Sequence, residues 1–165
     1  MVTKYLAAYG TTLVVFLIID GIWLGVVARS FYVQQIGDLL RPAPNFGVAG
    51  LFYALYVVGI LVFVIFPALH HGTWVTAALF GALFGFVAYA TYDLTNLATL
   101  QGWPVIMSVL DMVWGAVLTA SVSVVSFLIV TSLSLLPFTV AATLLQLETL
   151  FFIPLAIVLL KERAD

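Results

Sequence analysis

The chain alternates long apolar runs with short polar breaks. A membrane-crossing helix needs about 20 apolar residues for a hydrocarbon core about 30 Å thick. The first run, residues 5–28, lies between Lys4 and Arg29 and meets that length. Residues 29–45 form the one extended polar connection. It holds Gln34, Gln35, Asp38 and Arg41 and ends in Arg-Pro-Ala-Pro-Asn, which cannot continue a helix. Its first half has the spacing of a short interfacial helix with Phe31, Tyr32, Ile36, Leu39 and Leu40 toward lipid. A second helix is predicted over 47–69, followed by a tight turn at His70-His71-Gly72. A third runs over 74–97, ending at the turn Gln101-Gly102-Trp103-Pro104, whose proline suits the start of the next helix. A fourth covers 105–130, a break falls over 132–137, and a fifth covers 138–160 before a polar tail. The pattern therefore predicts an all-α polytopic transmembrane bundle of five spans. Residues 1–131 form a four-helix core, and 132–165 add a C-terminal helix and tail.

Composition strengthens this. Residues of the AVILMFWYC set make up 65% of the chain, charged residues 7%, and mean hydropathy is +1.27. A soluble domain carries about 25% charged residues and could not hide so much apolar surface. A soluble enzyme, a nucleic-acid binder and a disordered linker are excluded. The net charge of −2 implies no electrostatic steering of a partner. With no cysteine, thiolate metal sites, disulfides and cysteine nucleophiles are excluded too. The first run is too long for a signal-peptide core, carries Asp20 and lacks a small-x-small cleavage site, so it reads as a retained helix.

The position of the few charges is more informative than their number. All five basic residues fall outside the predicted spans. With five spans, Arg29, Arg41, Lys161 and Arg163 share one side and Lys4 lies on the other. That predicts an extracytoplasmic N-terminus and a cytoplasmic C-terminus in a cytoplasmic (inner) membrane. Without a fifth crossing the balance becomes two against three. Among the acids, Asp20, Asp93, Asp111 and Glu148 fall inside spans. A carboxylate there costs about 2.5–3.5 kcal/mol on insertion scales and marks a functional site by default. At about 1.5 Å per residue, Asp20, Asp93 and Asp111 lie roughly 12, 6 and 9 Å from the same-side ends of helices 1, 3 and 4. Three acids from three helices thus share one half of the bilayer.

Polar and aromatic residues accompany them at helical spacing. Asp20 with Trp23, and Asp111 with Trp114, are i, i+3 pairs on one face. Tyr89 and Asn96 flank Asp93 at i−4 and i+3, Tyr92 is adjacent, and helix 2 brings Tyr53 and Tyr56 into the same half. Asp20, Trp23, Tyr53, Tyr89, Tyr92, Asp93, Asn96, Asp111 and Trp114 are therefore candidates for lining one ligand- or proton-binding cavity. The alternative is that each Asp is a neutral staple between helices. Arg29 or Arg41 would be the only bases able to reach inward. Two small-residue stripes, Gly21/Gly25 in helix 1 and Ala77/Gly81/Gly85 in helix 3, are expected to let helices approach closely. Glu148 has no spacing that ties it to the other acids.

These residues also carry a family likeness. Asp20-Gly-Ile-Trp23-Leu-Gly, Phe52-Tyr53, the run from Gly85 through Tyr89-Ala-Thr-Tyr-Asp93-Leu-Thr-Asn96, Trp103-Pro104 and Asp111-Met-Val-Trp114-Gly115 resemble a bacterial predicted-membrane-protein family. It is catalogued as domain of unknown function 2177. The resemblance covers residues 1–130 and implies a four-helix inner-membrane protein, with no activity attached. The segment from Ala141 through Glu148 and Pro154 to Glu162 is similar to a late helix of drug/metabolite-type transporters, with Lys161 where glycine is usual.

No phosphate-binding glycine loop, nucleophile elbow or zincin motif is present. Asp20-Gly21 and Ala28-Arg29 are too far apart for the CDP-alcohol phosphotransferase signature, and its later acidic pair is missing. His70-His71 reads as a polar turn, so neither metal nor cofactor is expected. The first reading is binding or transport of a small or amphipathic ligand in the acidic, aromatic cavity, linked to protons or cations. Homo-oligomerisation would suit so small a transporter. The second is an intramembrane enzyme acting on a lipid or isoprenoid, with Asp93 or Asp111 as general acid or base. The third is a structural or assembly subunit. The partners expected are the lipid bilayer and a small or lipid ligand, not nucleic acid.

Overall fold

A computed structural model describes residues 2–135 of the chain. The predicted fifth helix and Glu148 lie outside the described residues. α1 (Val2–Ile22) continues into a π-helical segment, Trp23–Val27, which closes with Ala28 N donating to Trp23 O at 2.8 Å. α2 (Arg29–Ile36) and a 3₁₀ turn (Gly37–Leu39) follow. α3 (Phe46–Ile60) passes through a second π segment, Leu61–Ile65, into α4 (Phe66–His71). α5 (Trp74–Thr99) and α6 (Val105–Leu135) complete the described fold. Four stretches are long and apolar enough to cross a membrane: Tyr5–Val27, Phe46–His70, Trp74–Thr99 and Val105–Ser134. The protein is an all-α membrane bundle with four candidate spans among the described residues.

The breaks between spans have local causes. Asn45 Oδ1 accepts from Gly47 N at 3.1 Å and Val48 N at 3.2 Å, so it caps α3 directly after the Pro-rich break. Thr73 and Thr76 cap α5 reciprocally, each hydroxyl accepting from the other's backbone N–H at 3.4 and 3.2 Å. The α5–α6 turn places Gly102 at φ 78°, a conformation that favours glycine.

Three boundaries differ from the sequence expectation. His70 and His71 end α4, so only Gly72 and Thr73 make the turn. α6 runs through the expected break to Leu135; there the Ser134 hydroxyl donates back to Thr131 O at 2.6 Å, which keeps serine compatible with helix. Pro67 sits inside a continuous span. It offers no N–H and its ring crowds the carbonyl of Phe63, and the turn holding that carbonyl widens to π geometry.

The spans pack as a ring in the order α1, α3, α5, α6. The α5–α6 hairpin forms the most extensive contact, and the small-residue stripe of α5 explains it. A Cβ on Gly81 would lie 2.7 Å from Ser123 Oγ and 2.8 Å from Thr119 O, and one on Gly85 would strike the Gly115 carbonyl. Gly115 in turn lies under the Tyr89 ring. The helix 1 stripe behaves otherwise. Gly21 and Gly25 are exposed with nothing within 4 Å of a Cβ there, so among the described residues they are not a packing face. The apolar core (Phe16, Val57, Ile60, Val64, Ile65, Leu118, Val122) fills the half of the bundle away from α2. α5 meets the α3 span almost entirely at the π segment, in the half away from α2, and in the α2 half Val48, Leu51 and Phe52 of α3 are exposed. The ring is therefore looser between α3 and α5 on the side where the acids lie.

Candidate functional site

Asp20 and Asp111 are buried on the inward faces of α1 and α6, 3% and 6% exposed. Asp20 accepts from two helices. Tyr53 Oη of α3 donates to Oδ2 at 2.7 Å and Trp114 Nε1 of α6 donates to Oδ1 at 3.3 Å. Asp111 accepts from the Tyr32 hydroxyl, which itself accepts from Trp23 Nε1 at 3.3 Å. The two halves are joined by the indoles of Trp23 and Trp114, stacked with centroids 4.0 Å apart and planes 9° from parallel. The i, i+3 spacing supplies this directly, since each acid and its Trp share a face and the two faces oppose. The π segment beginning at Trp23 adds a residue to its turn, which is one way a helix re-aims a side chain.

Tyr89 reaches the same place from α5. Its ring packs on Gly115 and its hydroxyl, in electrostatic reach of Asp20, Tyr56, Tyr32 and Asp111, makes no hydrogen bond. Thus Asp20, Trp23, Tyr53, Tyr89, Asp111 and Trp114 of the expected set converge. No Lys or Arg lies within the four spans, and Arg29 and Arg41 stay exposed, with no ion pair among the described residues. The inward-reaching arginine is thereby corrected.

The remaining three of the expected set are placed apart. Asp93 is fully buried, but beside Ser108 rather than in the network. Neither carboxyl oxygen makes a hydrogen bond of ordinary geometry, while the Ser108 hydroxyl accepts from Trp103 Nε1 at 3.0 Å and keeps its own proton free for Asp93. Asp111 is near enough to feel it electrostatically. Tyr92 is 54% exposed and packs edge-on against Trp103, 5.8 Å between centroids, with Asn96 beside it. Consecutive helical residues point about 100° apart, so Tyr92 and Asp93 cannot both face inward.

The sequence expectation lacks one member, Tyr32, and brings in Tyr56 only by depth. Tyr32 was assigned to lipid with the rest of α2. Instead α2 folds under the bundle, and Tyr32 closes the network from outside the spans. Burial first, and its hydrogen bond to Asp111 second, push the Tyr32 phenol above its ordinary range. Tyr56 shares a 3.0 Å hydrogen bond with Thr119 Oγ1 deeper in the bundle. The signal for Tyr32 was its position three residues past Arg29, on the helix face that turns back toward the membrane.

The hydrogen-bond inventory limits what the site can take. An ionised carboxylate offers about four lone-pair positions; Asp20 uses two and Asp111 one. The other members donate their protons inward, and among the described residues no Lys or Arg pairs with the acids. The site has acceptor capacity to spare, together with aromatic faces, which attract cations. Among the described residues no group of three or more His, Asp or Glu is arranged to hold a metal ion.

Comparison with known proteins gives a family and no activity. The chain belongs to the family described as Predicted membrane protein (DUF2177), whose profile matches residues 5–128. No curated protein and no solved structure matches it.

Proposed function

With that membership as the premise, we propose that the protein binds, and in a transport-type cycle moves, an amphipathic ligand with a protonated amine head group. The observation that carries this is the surplus of acceptors on Asp20 and Asp111, held in place by phenol and indole donors with no Lys or Arg in the four described spans. An ammonium group has three donors and no acceptor, the complement of such a site. The looser packing between α3 and α5 in the same half offers a sideways route for an apolar tail. The acid half lies on the side of Arg29 and Arg41. With the fifth span expected from the sequence, four of the five Lys and Arg residues share that side, which supports a cytoplasmic acid half and an extracytoplasmic N-terminus. Because the chain has no native cysteine, single cysteines at Gln35 and Thr73 report this directly through one-sided labelling of intact cells.

The test is a titration of the protein in nanodiscs with dodecylammonium, following tryptophan fluorescence against dodecanol and against empty discs. The amine produces a saturable change and the alcohol does not. Asp20→Asn and Asp111→Asn each weaken binding by about thirtyfold, the equivalent of about 2 kcal/mol for a buried charge losing its partner. Equal responses to amine and alcohol, or unchanged affinity in both variants, overturn the reading.

One observation favours a second reading. Asp93 is fully buried with only the Ser108 hydroxyl beside it and Asp111 in electrostatic reach, a setting that suits a group exchanging a proton. An intramembrane enzyme with Asp93 as general acid or base would alter a membrane lipid in an Asp93-dependent way. Lipid extracts from cells with wild type and Asp93→Asn would then differ.

A further inference from the structure

Past the acids, the inward face of α6 carries hydroxyls. Asp111, Gly115, Thr119 and Ser123 are each four residues apart and lie along one line of the helix; Ser126 follows one turn on. Thr119, Ser123 and Ser126 are fully buried. α1 runs antiparallel beside α6. With Asp20 level with Trp114, equal rise in the two helices puts Thr12 and Thr11 level with residues 122 and 123, and both threonines are buried. Asp111 to Ser126 covers about 22 Å of helix, most of a hydrocarbon core about 30 Å thick. Tyr56 joins this line to the acids. It shares the hydrogen bond with Thr119 and is in electrostatic reach of Asp20.

Several of the described hydroxyls bond to a carbonyl of their own helix, the buried Thr12 to Ala8 O at 2.7 Å included. On the lipid-facing side Ser121 bonds to Val117 O at 2.8 Å, Thr91 to Val87 O at 2.8 Å and Thr99 to Thr95 O at 2.7 Å. That is the usual way for an apolar helix to satisfy Ser and Thr. Thr11, Ser123 and Ser126, all buried, make no hydrogen bond although each has a carbonyl one turn back. Opposite Ser123 and Thr119, α5 has only Gly81 and Gly85, so no side chain from that helix covers either oxygen. An unbonded hydroxyl in the interior is destabilising, and three on one line call for a partner that comes and goes.

We infer that this line is a proton path linking the acid network to the opposite membrane face. A hydroxyl both donates and accepts, as a relay requires. Successive members are one turn apart, about 5.4 Å, which one water molecule spans with two hydrogen bonds of about 2.8 Å. The proton is taken up at the carboxyl pair Asp20 and Asp111, passes through Tyr56 and Thr119, and travels by Ser123, Thr11 and Ser126 to the far side. The path uses the acids of the proposed amine site but does not require that an amine ever binds.

Purified protein in vesicles that contain pyranine, with a valinomycin-clamped potassium gradient making the interior negative, measures it. Wild type acidifies the interior faster than protein-free vesicles. Ser123→Ala, Ser126→Ala and the isosteric Thr11→Val each slow it by about tenfold, the factor for a step raised by about 1.4 kcal/mol. Ser126→Thr, which keeps the hydroxyl, and lipid-facing Ser121→Ala conduct like wild type. Dodecylammonium binding stays intact in Ser126→Ala, which separates this result from failure of the amine site. Wild-type flux no greater than that of protein-free vesicles overturns the path, and so does wild-type flux in folded, monodisperse Ser126→Ala and Thr11→Val.

Discussion

Tyr32→Phe isolates the contact that ties the amphipathic helix α2 to the bundle. The change removes one oxygen and leaves ring packing intact. It deletes two hydrogen bonds, the donation to Asp111 and the acceptance from Trp23 Nε1 at 3.3 Å. The second is long and contributes little. The first reaches a buried carboxyl, and a bond to a charged acceptor contributes about 1.5–3 kcal/mol, against about 0.5–1.5 for a neutral one. Interhelical bonds in lipid tend to the low end, about 0.6 and at most about 1.7 kcal/mol. The net expectation is a loss of about 1–3 kcal/mol, a factor of about 5–150 in a local opening equilibrium. α2 contributes no fully buried residue, so little else holds it down. The loss should therefore fall on the amides of Arg29–Ile36, while α5 and α6 keep their protection. Hydrogen exchange by mass spectrometry on protein in nanodiscs reads this peptide by peptide. Tyr92→Phe, whose ring packs outward on Trp103, serves as the control and leaves α2 unchanged. Unaltered exchange of the α2 peptide in Tyr32→Phe would refute the latch.

Other consequences follow from the same contacts. Gly85→Ala forces a methyl into the Gly115 carbonyl, a backbone atom that cannot turn away, and should cost about 1–3 kcal/mol or more. Gly21→Ala meets open space and should be neutral or stabilising by up to about 1 kcal/mol, so thermal unfolding in detergent separates the two stripes. The Tyr32 phenol is raised in the fold from an ordinary value of about 10. Its contribution to stability is thus complete below about pH 10 and fades only as pH rises through the raised value. Alkaline titration of tyrosinate absorbance should show the same amplitude near pH 10 in wild type and Tyr32→Phe, and a missing transition there in the variant would contradict the burial. Trp23→Ala removes the stack on Trp114, about 0.5–1.5 kcal/mol beyond area; a red shift in Trp114 emission checks it.

How far the chain could be read before its structure depended on the kind of signal. Span positions were legible because about 20 apolar residues admit few alternatives in lipid. That Asp20 shares a face with Trp23, and Asp111 with Trp114, was legible, since i, i+3 spacing fixes it, whereas the bond from Trp114 to Asp20 across two helices was not. The rotation of each helix about its axis was not. Tyr92 and Asp93 are neighbours, and only packing against α6 decides which of them turns inward. The fate of Tyr32 depended on where the chain turns after Val27, and a π turn with its extra residue leaves no mark in hydrophobic periodicity. The buried hydroxyls were overlooked because Ser and Thr in an apolar run usually satisfy themselves, and sequence does not show which ones fail to.

The central claim is that Asp20 and Asp111, on different helices, serve one ligand through one site. Equilibrium dialysis of radiolabelled dodecylammonium against protein in nanodiscs tests it most directly, with empty discs subtracted. One amine should bind per chain, and the loss in the Asp20→Asn/Asp111→Asn double variant should fall short of the sum of the single losses in free energy, as expected for residues acting on a shared partner. Strictly additive losses, or full stoichiometry and affinity retained in the double variant, would contradict the claim.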